Sequence, residues 1–316
     1  MSPSPYREIM ADAERGAPVI LDGGTGTELE VRGAPMYGGA WCSMATRLAP
    51  EVLMDVHRSY IRAGARVIMT NTFSSNRNML EPAGIGEHFE QLIDDSVQLA
   101  QRARDEEDGS QQVAVAGSMS HQVPLLGPGQ PRPETFPSPA LARARFSEMA
   151  DRLANEGVDF LVMEMMSNPE LANPAIEAAR ATGLPVWVGF SVRTNDTGNL
   201  TASSRHALSV EQMFSDIDIA GVDVVGLMHS NVTECTQGLR KLRDVWSGPL
   251  MCYPDSGYFK MPHWQFEDII PPEDFAAAGS EWFNDGIAIV GGCCGLGVSH
   301  IEALAHALRP ATEDAR

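Results

Sequence analysis

Two adjacent cysteines near the C-terminal end are the residues whose type and spacing point most clearly to chemistry. Cys293 and Cys294 follow the apolar run Ile287–Val290 and lie between glycines. Two neighbouring thiols do not bond comfortably to each other, but as thiolates at the end of a buried strand they can share one soft metal ion. The alternative is a pair of small buried strand residues, because cysteine is common in protein cores.

A zinc ion needs a third protein ligand from another part of the chain, and His229 is the best candidate. It follows the apolar run Val222–Gly226, and an imidazole nitrogen is a good zinc donor. The alternative is a histidine that is only hydrogen-bonded at a strand end. Three protein ligands leave a fourth position open, which is typical of a catalytic zinc site. Cys235 and Cys252 are expected to pack in the protein instead.

Polar residues also follow the other apolar runs. The first run ends in the glycine-rich segment Asp22–Thr27, and the fourth ends in Glu164. The free amides of that segment suit a carboxylate, and Asp22 and Glu164 suit an ammonium group, so the pattern predicts a site for a small zwitterion. A phosphate-binding loop is the rival interpretation, but the GxGxxG and GxxxxGK[ST] spacings are missing.

Short β-rich runs alternate with helical segments along the chain, which predicts parallel βαβ units. The predicted strands are Val19–Asp22, Ala65–Asn71, Val113–Gly117, Val158–Glu164, Pro185–Phe190, Val222–Gly226, Pro249–Tyr253 and Ile287–Gly291. Helical periodicity is clearest in Pro50–Gly64, Phe146–Glu156 and Glu170–Thr182. Eight such strands predict an α/β fold of the (β/α)8 TIM-barrel type.

The connecting segments support the barrel. Segments that enter the strands are short and carry a glycine, whereas those that leave are long and polar, so the site should lie at the strand exits. The long exit segments are Thr25–Leu48, Ser118–Pro139, Ser191–Ala207 and Pro254–Pro272. The aromatic residues of the last segment suit either a lid or the packed rim of the barrel. The proline-rich stretch Gly127–Pro139 is interpreted as a loop within one domain, residues 1–316.

Composition limits the class of protein. The chain has 316 residues, 43% of them hydrophobic, and a formal net charge of −19. That charge argues against nucleic acid or an anionic membrane as a partner. The absence of a long apolar stretch or a signal-like N-terminus predicts a cytoplasmic protein. Five cysteines at irregular spacing favour metal or thiol chemistry over a disulfide framework.

Four segments resemble those of a known family, the homocysteine S-methyltransferases. They are Asp22–Leu29, Thr70–Phe73, Tyr253–Gly257 and Gly291–Gly295, and the likeness runs from about Val19 to Leu308. The family includes enzymes that use S-methylmethionine or betaine, and the homocysteine module of cobalamin-dependent methionine synthase. The resemblance implies a barrel that binds zinc through three thiolates, with the acceptor thiol as fourth ligand.

The resemblance also implies roles for single residues. Cys293 and Cys294 match two zinc ligands, and Asp22, Glu164 and the amides of Thr25 and Gly26 match positions that hold the amino-acid end of homocysteine. Asp22 and Glu164 are therefore the candidate catalytic residues. The candidate substrate-binding residues are Asp22, Thr25, Gly26, Trp41, Asn71, Glu164 and Ser256.

The chain departs from the family at the third zinc ligand. Where the family has a segment similar to Gly-Val-Asn-Cys, this chain has Gly226-Leu-Met-His229. A neutral imidazole in place of a thiolate changes the formal charge of the thiolate-loaded site from about −2 to about −1. A less negative site should lower the pKa of the acceptor thiol further but leave its thiolate less nucleophilic.

Two other positions bear on the methyl donor. Betaine-using relatives surround the trimethylammonium group with aromatic rings, whereas this chain has Ser74 after Phe73 and Met165 after Glu164. Trp41 could still contribute a ring. The pattern favours a small sulfonium donor over betaine.

The sequence thus predicts a zinc-dependent methyltransferase that moves a methyl group from a small donor to a thiol, most simply homocysteine. Two alternatives stay open. One is a demethylase or methyl shuttle for an osmolyte-type donor with a different thiol acceptor. The other is a barrel that has lost catalysis and binds a metal or metabolite. The expected partners are small molecules, and the oligomeric state is left open.

Overall fold

A computed structural model describes residues 4–37, 39–107, 112–127, 130–131, 133–260 and 263–309, and eight of its strands form one parallel sheet. These strands are β1 (Val19–Ile20), β2 (Val67–Met69), β3 (Ala114–Ser120), β4 (Phe160–Met166), β5 (Val186–Phe190), β6 (Val224–Asn231), β7 (Leu250–Asp255) and β8 (Ile289–Val290). Neighbours pair in chain order from β2 to β8, and β8 pairs with β1.

The sheet closes on itself between β1 and β2. Leu21 forms a parallel bridge with Val67, and the Asp22 amide donates to the Val67 carbonyl at 3.0 Å. The predicted (β/α)8 barrel is therefore confirmed.

Helices connect the strands and cover the outside of the barrel. Within the described ranges they are α1 (Pro5–Glu14), α2 (Thr25–Val31), α3 (Ala45–Leu48), α4 (Pro50–Arg62), α5 (Arg77–Leu80), α6 (Phe89–Glu107), α7 (Pro139–Asn155), α8 (Pro169–Ala181), α9 (Val210–Asp216), α10 (Val232–Leu242), α11 (Pro272–Asn284) and α12 (Val298–Ala307). None of these helices combines the length and apolar character that crossing a bilayer requires.

Alternating side chains along each strand separate two hydrophobic layers. In β4, Phe160 and Val162 belong to the cluster inside the barrel, whereas Leu161 and Met163 belong to the layer between strands and helices. Successive side chains of a strand point to opposite faces, so Glu164 continues the inward set. The same alternation that fills the barrel with apolar groups therefore delivers a carboxylate to its open end.

The N-terminal helix α1 covers the end of the barrel where the strands begin. Its residues Tyr6 and Ile9 are buried in the inner cluster. The Tyr6 ring lies 5.1 Å from Phe160 and 6.3 Å from Trp187, whose indole NH donates to the Tyr6 hydroxyl at 3.2 Å. This end is consequently a packed aromatic plug.

Several strands extend beyond their predicted ends. β3 continues to Ser120, β4 to Met166, β6 to Asn231 and β7 to Asp255. The predicted ends lie at or before the site residues, but pairing with neighbouring strands continues past them. Glu164, the last residue of its predicted strand, and His229, which lies beyond the end of its predicted strand, are consequently both inside strands.

The exit segments contain more structure than predicted. Thr25–Leu48 begins with α2, and Ser191–Ala207 includes the antiparallel strands Val192–Thr194 and Leu200–Ala202. Pro254–Pro272 includes a hairpin of Tyr258–Lys260 and His263–Gln265, which we call the mouth hairpin. Parts of the predicted loop Gly127–Pro139, residues 128, 129 and 132, lie outside the described residues.

Candidate metal and acceptor site

The three predicted metal ligands lie together at the strand exits. His229 is in β6, and Cys293 and Cys294 follow β8. Their ligand atoms all lie within 4.8 Å of one another. The Sγ atoms of the two cysteines are 3.6 Å apart, and Cys293 Sγ is 3.2 Å from His229 Nδ1.

This geometry fits a zinc-sized ion. Tetrahedral zinc with Zn–S of about 2.3 Å and Zn–N of about 2.0–2.1 Å places two sulfurs about 3.8 Å apart, and a sulfur and a nitrogen about 3.6 Å apart. The observed separations of 3.6 and 3.2 Å are close to these values, and the remaining one, between Cys294 Sγ and the His229 nitrogen, lies within 4.8 Å. The residues present therefore suit such an ion, and their role as ligands stays a prediction.

Backbone contacts with the β7 exit hold the cysteine pair in place. The Cys293 amide donates to the Pro254 carbonyl at 2.6 Å, and the Ser256 amide donates to the Cys294 carbonyl at 2.9 Å. Gly295 then turns the chain with a φ of 79°. A Cβ atom at this position would lie 2.0 Å from the Ser256 carbonyl oxygen, so only glycine fits the turn.

Glu164 contacts the imidazole of His229 directly. Glu164 Oε2 is 2.9 Å from His229 Nε2, and the Ser118 hydroxyl donates to Glu164 Oε1. Burial on its own lowers the pKa of His229, but the interactions with Cys293 and Glu164 outweigh it and raise that pKa to about 10. The alternative role predicted for His229, a hydrogen-bonded histidine of a strand, is thus present together with the metal-ligand arrangement.

The backbone is strained at His229 and at the residue that follows Glu164. His229 has a φ of 49°, and Met165, next to Glu164, has a φ of 60°. Non-glycine residues adopt this left-handed region rarely and at a cost of roughly 1–3 kcal/mol each. The ring of Phe73 lies 4.9 Å from the His229 ring, and the Ser191 hydroxyl donates to the His229 carbonyl at 2.8 Å.

Asp22 is fully buried on the other side of the site. Its Oδ2 accepts from the Met69 amide at 2.7 Å, and its Oδ1 accepts from the Tyr253 hydroxyl at 3.0 Å. Burial outweighs these hydrogen bonds and raises the pKa of Asp22 to about 8. A cationic group beside Asp22 would favour its ionised form.

Thr25 and Gly26 form the first turn of α2, next to Asp22 in the chain. Trp41 lies against this turn, because a Cβ atom on Gly26 would be 2.5 Å from the indole ring. The Trp41 ring in turn meets Phe259 of the mouth hairpin edge-on at 6.1 Å. The predicted amide segment and the predicted aromatic residue are therefore neighbours.

Asn71 and Ser256, predicted to bind substrate, both make contacts within the protein. Asn71 Nδ2 donates to the Cys42 carbonyl at 3.0 Å and to Thr46 Oγ1 at 3.2 Å. Ser256 Oγ accepts from the Ile270 amide at 2.9 Å. These contacts fix two exit segments to the barrel, and a role in binding stays a prediction for both residues.

Cys235 and Cys252 lie in α10 and β7, and both are fully buried in the layer between strands and helices. The structure confirms that they pack away from the barrel interior. In the mouth hairpin, Trp264 is buried and donates to the Ser256 carbonyl at 3.0 Å. Tyr258 and Phe259 of the same hairpin are exposed, so this segment both packs on the rim and presents aromatic rings to solvent.

Two contacts of the site were not predicted from the sequence. Tyr253 lies in one of the segments that resemble the family, but the sequence does not predict its hydrogen bond to Asp22. The sequence predicts Ser118 at the start of a loop, although it lies in β3 beside Glu164. Its position at the end of an apolar run was the available signal.

Comparison with known proteins identifies the family of this chain and supports its fold. The family model described as homocysteine S-methyltransferase matches residues 19–308. Homocysteine S-methyltransferase 4 from Zea mays is 25% identical over 95% of this chain and 92% of its own length. Bovine betaine–homocysteine S-methyltransferase 1 is 26% identical, over 96% of this chain and 75% of its own length.

A solved structure shows the same fold. The homocysteine methyltransferase MmuM from Escherichia coli, in its metallated form, superposes with a TM-score of 0.75 at 23% identity and covers 96% of this chain and 99% of that one. This likeness shows the fold, and the family match over residues 19–308 shows the family. The chain belongs to the homocysteine S-methyltransferase family.

Proposed function

We propose that this protein is a zinc-dependent enzyme that transfers a methyl group from a small sulfonium donor to the thiol of homocysteine. One observation carries the proposal: His229, Cys293 and Cys294 converge within 4.8 Å in a chain of this family. Two thiols and an imidazole form a soft donor set with one coordination position left for a substrate.

The ligand residues hold the reaction centre at the mouth of a packed barrel. Zinc bound there supplies a Lewis acid that makes the acceptor thiol a thiolate near neutral pH. Cys293 and Cys294 are held by backbone hydrogen bonds to the β7 exit, so their positions are fixed before the substrate arrives. A thiolate oriented in this way needs little further ordering for direct displacement at the donor methyl group.

Asp22 is the residue best placed to receive the ammonium group of the acceptor. It is fully buried, and its oxygens are oriented by Tyr253 and by the Met69 amide. Burial raises its pKa to about 8, and an ammonium group beside it would stabilise the carboxylate. The amides of Thr25 and Gly26, in the first turn of α2, are proposed for the acceptor carboxylate.

The choice of a sulfonium donor rests on the residues near the mouth. Ser74 and Met165 occupy positions where betaine-using relatives are expected to carry rings, which leaves Trp41 and Phe259 as one edge-on pair. A trimethylammonium group prefers a cage of several aromatic faces. A compact sulfonium ion needs fewer.

Metal analysis and a methyl-transfer assay test the proposal together. We expect about one zinc per chain, and methionine formation from homocysteine with S-methylmethionine as donor and with less activity from betaine. A Cys294→Ser variant should lose both the metal and the activity. A wild-type protein with zinc but no thiol-dependent methyl transfer would favour the binding-barrel alternative. A protein that transfers methyl groups equally well without metal would contradict the proposal.

A further inference from the structure

We propose that Glu164 is a positioning residue for His229, which binds the metal through Nδ1, and that Glu164 does not primarily hold the acceptor's ammonium group. This inference rests on the proposed metal-dependent function and concerns the residue at which this chain departs from its family. Asp22 then carries the recognition of the ammonium group.

The orientation of the imidazole ring selects the nitrogen. His229 Nδ1 is 3.2 Å from Cys293 Sγ, whereas Nε2 is 4.0 Å from the same sulfur. Nε2 instead faces Glu164 Oε2 at 2.9 Å. An imidazole that binds a metal through one nitrogen carries its proton on the other, and here that proton has a carboxylate acceptor at hydrogen-bonding distance.

Glu164 is itself fixed from behind. The Ser118 hydroxyl donates to its Oε1, and the Ser118 amide donates to Thr70 Oγ1 at 3.0 Å. The side chains of Glu164 and His229 are only 5% and 12% exposed. The carboxylate is consequently held between a hydroxyl on β3 and an imidazole on β6, and each oxygen already has a partner.

The need for this arrangement follows from the ligand type. A cysteine ligand has a single donor atom. A histidine ligand has two ring nitrogens, so it must carry its proton on one of them and present the other to the metal in the correct plane. Phe73 lies against the ring, and the φ of 49° at His229 turns the residue toward Cys293. The strained backbone and the carboxylate together orient a side chain that the family pattern does not have.

The carboxylate also strengthens the imidazole as a ligand. A carboxylate that accepts the imidazole proton makes the metal-bound nitrogen more basic. Glu164 therefore offsets part of the donor strength that is lost where a neutral imidazole stands in place of a thiolate.

A double-mutant cycle on metal affinity tests the assignment. Zinc dissociation constants are measured by chelator competition for wild type, Glu164→Gln, His229→Cys and the double variant. In the wild-type background, Glu164→Gln should weaken zinc binding by about 10–100-fold, the usual effect of losing an outer partner. In the His229→Cys background the same change should leave zinc affinity unchanged within about 2-fold, because no imidazole remains to be oriented.

Three further measurements sharpen the test, and the first two do not depend on activity. With ¹¹³Cd in the site and ¹⁵N-labelled histidine, the metal coupling should appear at His229 Nδ1 and not at Nε2. Ser118→Ala, which keeps both members of the pair, should weaken zinc binding in the same direction by about 10-fold or less. Glu164→Gln should also lower kcat more than it raises the KM for homocysteine.

Opposite results would overturn the inference. Coupling at Nε2 would do so, as would unchanged zinc affinity in Glu164→Gln combined with a raised KM for homocysteine, because Glu164 would then act on the acceptor. Wild-type protein that binds no zinc would overturn both this inference and the proposed function. Intact zinc binding without methyl transfer to homocysteine would overturn only the proposed function.

Discussion

The two ends of the barrel use the same eight strands for opposite purposes. At the end where the strands begin, Tyr6, Phe160 and Trp187 pack as an aromatic plug with ring centroids 4.4–6.3 Å apart. At the end where the strands finish, Asp22 and Glu164 are buried, with 0% and 4% of their surface exposed. One end consists of apolar surface removed from water, and the other contains charged groups removed from water.

The difference shows which features of the barrel stabilise the fold and which lower its stability. The aromatic end belongs to the first group, and the polar end contains features of the second. Burial of aromatic side chains contributes roughly 1.5–3 kcal/mol each, whereas a buried carboxylate is tolerated only with hydrogen-bond partners. The left-handed residues Met165 and His229 also lie at the polar end. Substitutions at the polar end should therefore change metal binding and methyl transfer. Substitutions at the apolar end should instead lower the free energy of unfolding.

The largest effect is expected from Cys293→Ser. Loss of a direct ligand should lower zinc affinity and methyl transfer by about 1,000-fold or more, since loss of an outer partner alone typically costs 10–100-fold. Zinc content and the rate of methionine formation measure this. The metal-free form should keep its unfolding free energy within about 1 kcal/mol, because serine fills nearly the same space.

Cys252→Ser is the matched control for this prediction. Cys252 is equally buried but lies in the layer between strands and helices. The variant should keep its zinc and its activity per folded molecule. Equal loss of zinc in both variants would show that replacing any buried cysteine disrupts the site. That result would contradict the ligand assignment.

Trp187→Ala should produce the largest loss of stability. Removal of a fully buried tryptophan typically costs about 3–5 kcal/mol, and this one also donates to the Tyr6 hydroxyl at 3.2 Å. Urea denaturation measures the loss. Zinc affinity of the folded protein should stay within about 3-fold of wild type, because the plug lies at the opposite end of the barrel. A parallel loss of zinc affinity would contradict the separation of the two ends.

The apolar parts of the barrel could be predicted from sequence because their strands are buried on both faces. Continuous runs such as those in β5 and β8 leave no doubt about burial, and glycines mark the turns that enter the strands. The strand exits were less predictable. Ser118, Glu164 and His229 are polar, yet the pairing of β3, β4 and β6 continues through or beyond them, because their side chains face a site and not solvent.

The site could be predicted only where the sequence itself places its residues side by side. The cysteine pair and the segment after β1 are local patterns. By contrast, Glu164 and His229 are 65 residues apart, and their contact depends on the register between neighbouring strands and on a φ of 49° at His229. A single sequence carries no signal for either quantity.

The pH dependence of stability should reveal a buried histidine that lies outside the site. Burial lowers the pKa of His57 in α4 to about 4, and neither ring nitrogen has a hydrogen-bond partner among the described residues. His57 stays neutral in the folded protein, whereas the unfolded chain takes up a proton near pH 6.5. The stability present above pH 6.5 is therefore lost as the pH falls toward 4, by about 3 kcal/mol.

His121 is a second buried histidine, and it differs from His57 because its ring accepts hydrogen bonds. Its pKa is also lowered to about 4, but its Nε2 accepts from the Ser167 and Asn168 amides at 2.9 and 3.2 Å. His57→Leu should flatten the acid limb of the stability curve without loss at pH 7. His121→Leu should flatten the acid limb in the same way, because its pKa is lowered by the same burial, but it should cost about 1–3 kcal/mol at pH 7, since two buried amides lose their acceptor. Identical curves for both variants would contradict this distinction.

The smallest effect is expected at the mouth hairpin, where Phe259 is 44% exposed and meets Trp41 at 6.1 Å. An aromatic ring contributes roughly 0.5–1 kcal/mol to cation binding at an exposed site. Phe259→Leu should therefore raise the KM for a sulfonium donor by about 2–5-fold and leave the unfolding free energy unchanged. Tyr258→Leu is the control, because neighbouring strand residues point to opposite faces. Equal effects of both variants would mean that the hairpin acts as a general cover, and no effect of either would remove it from donor binding.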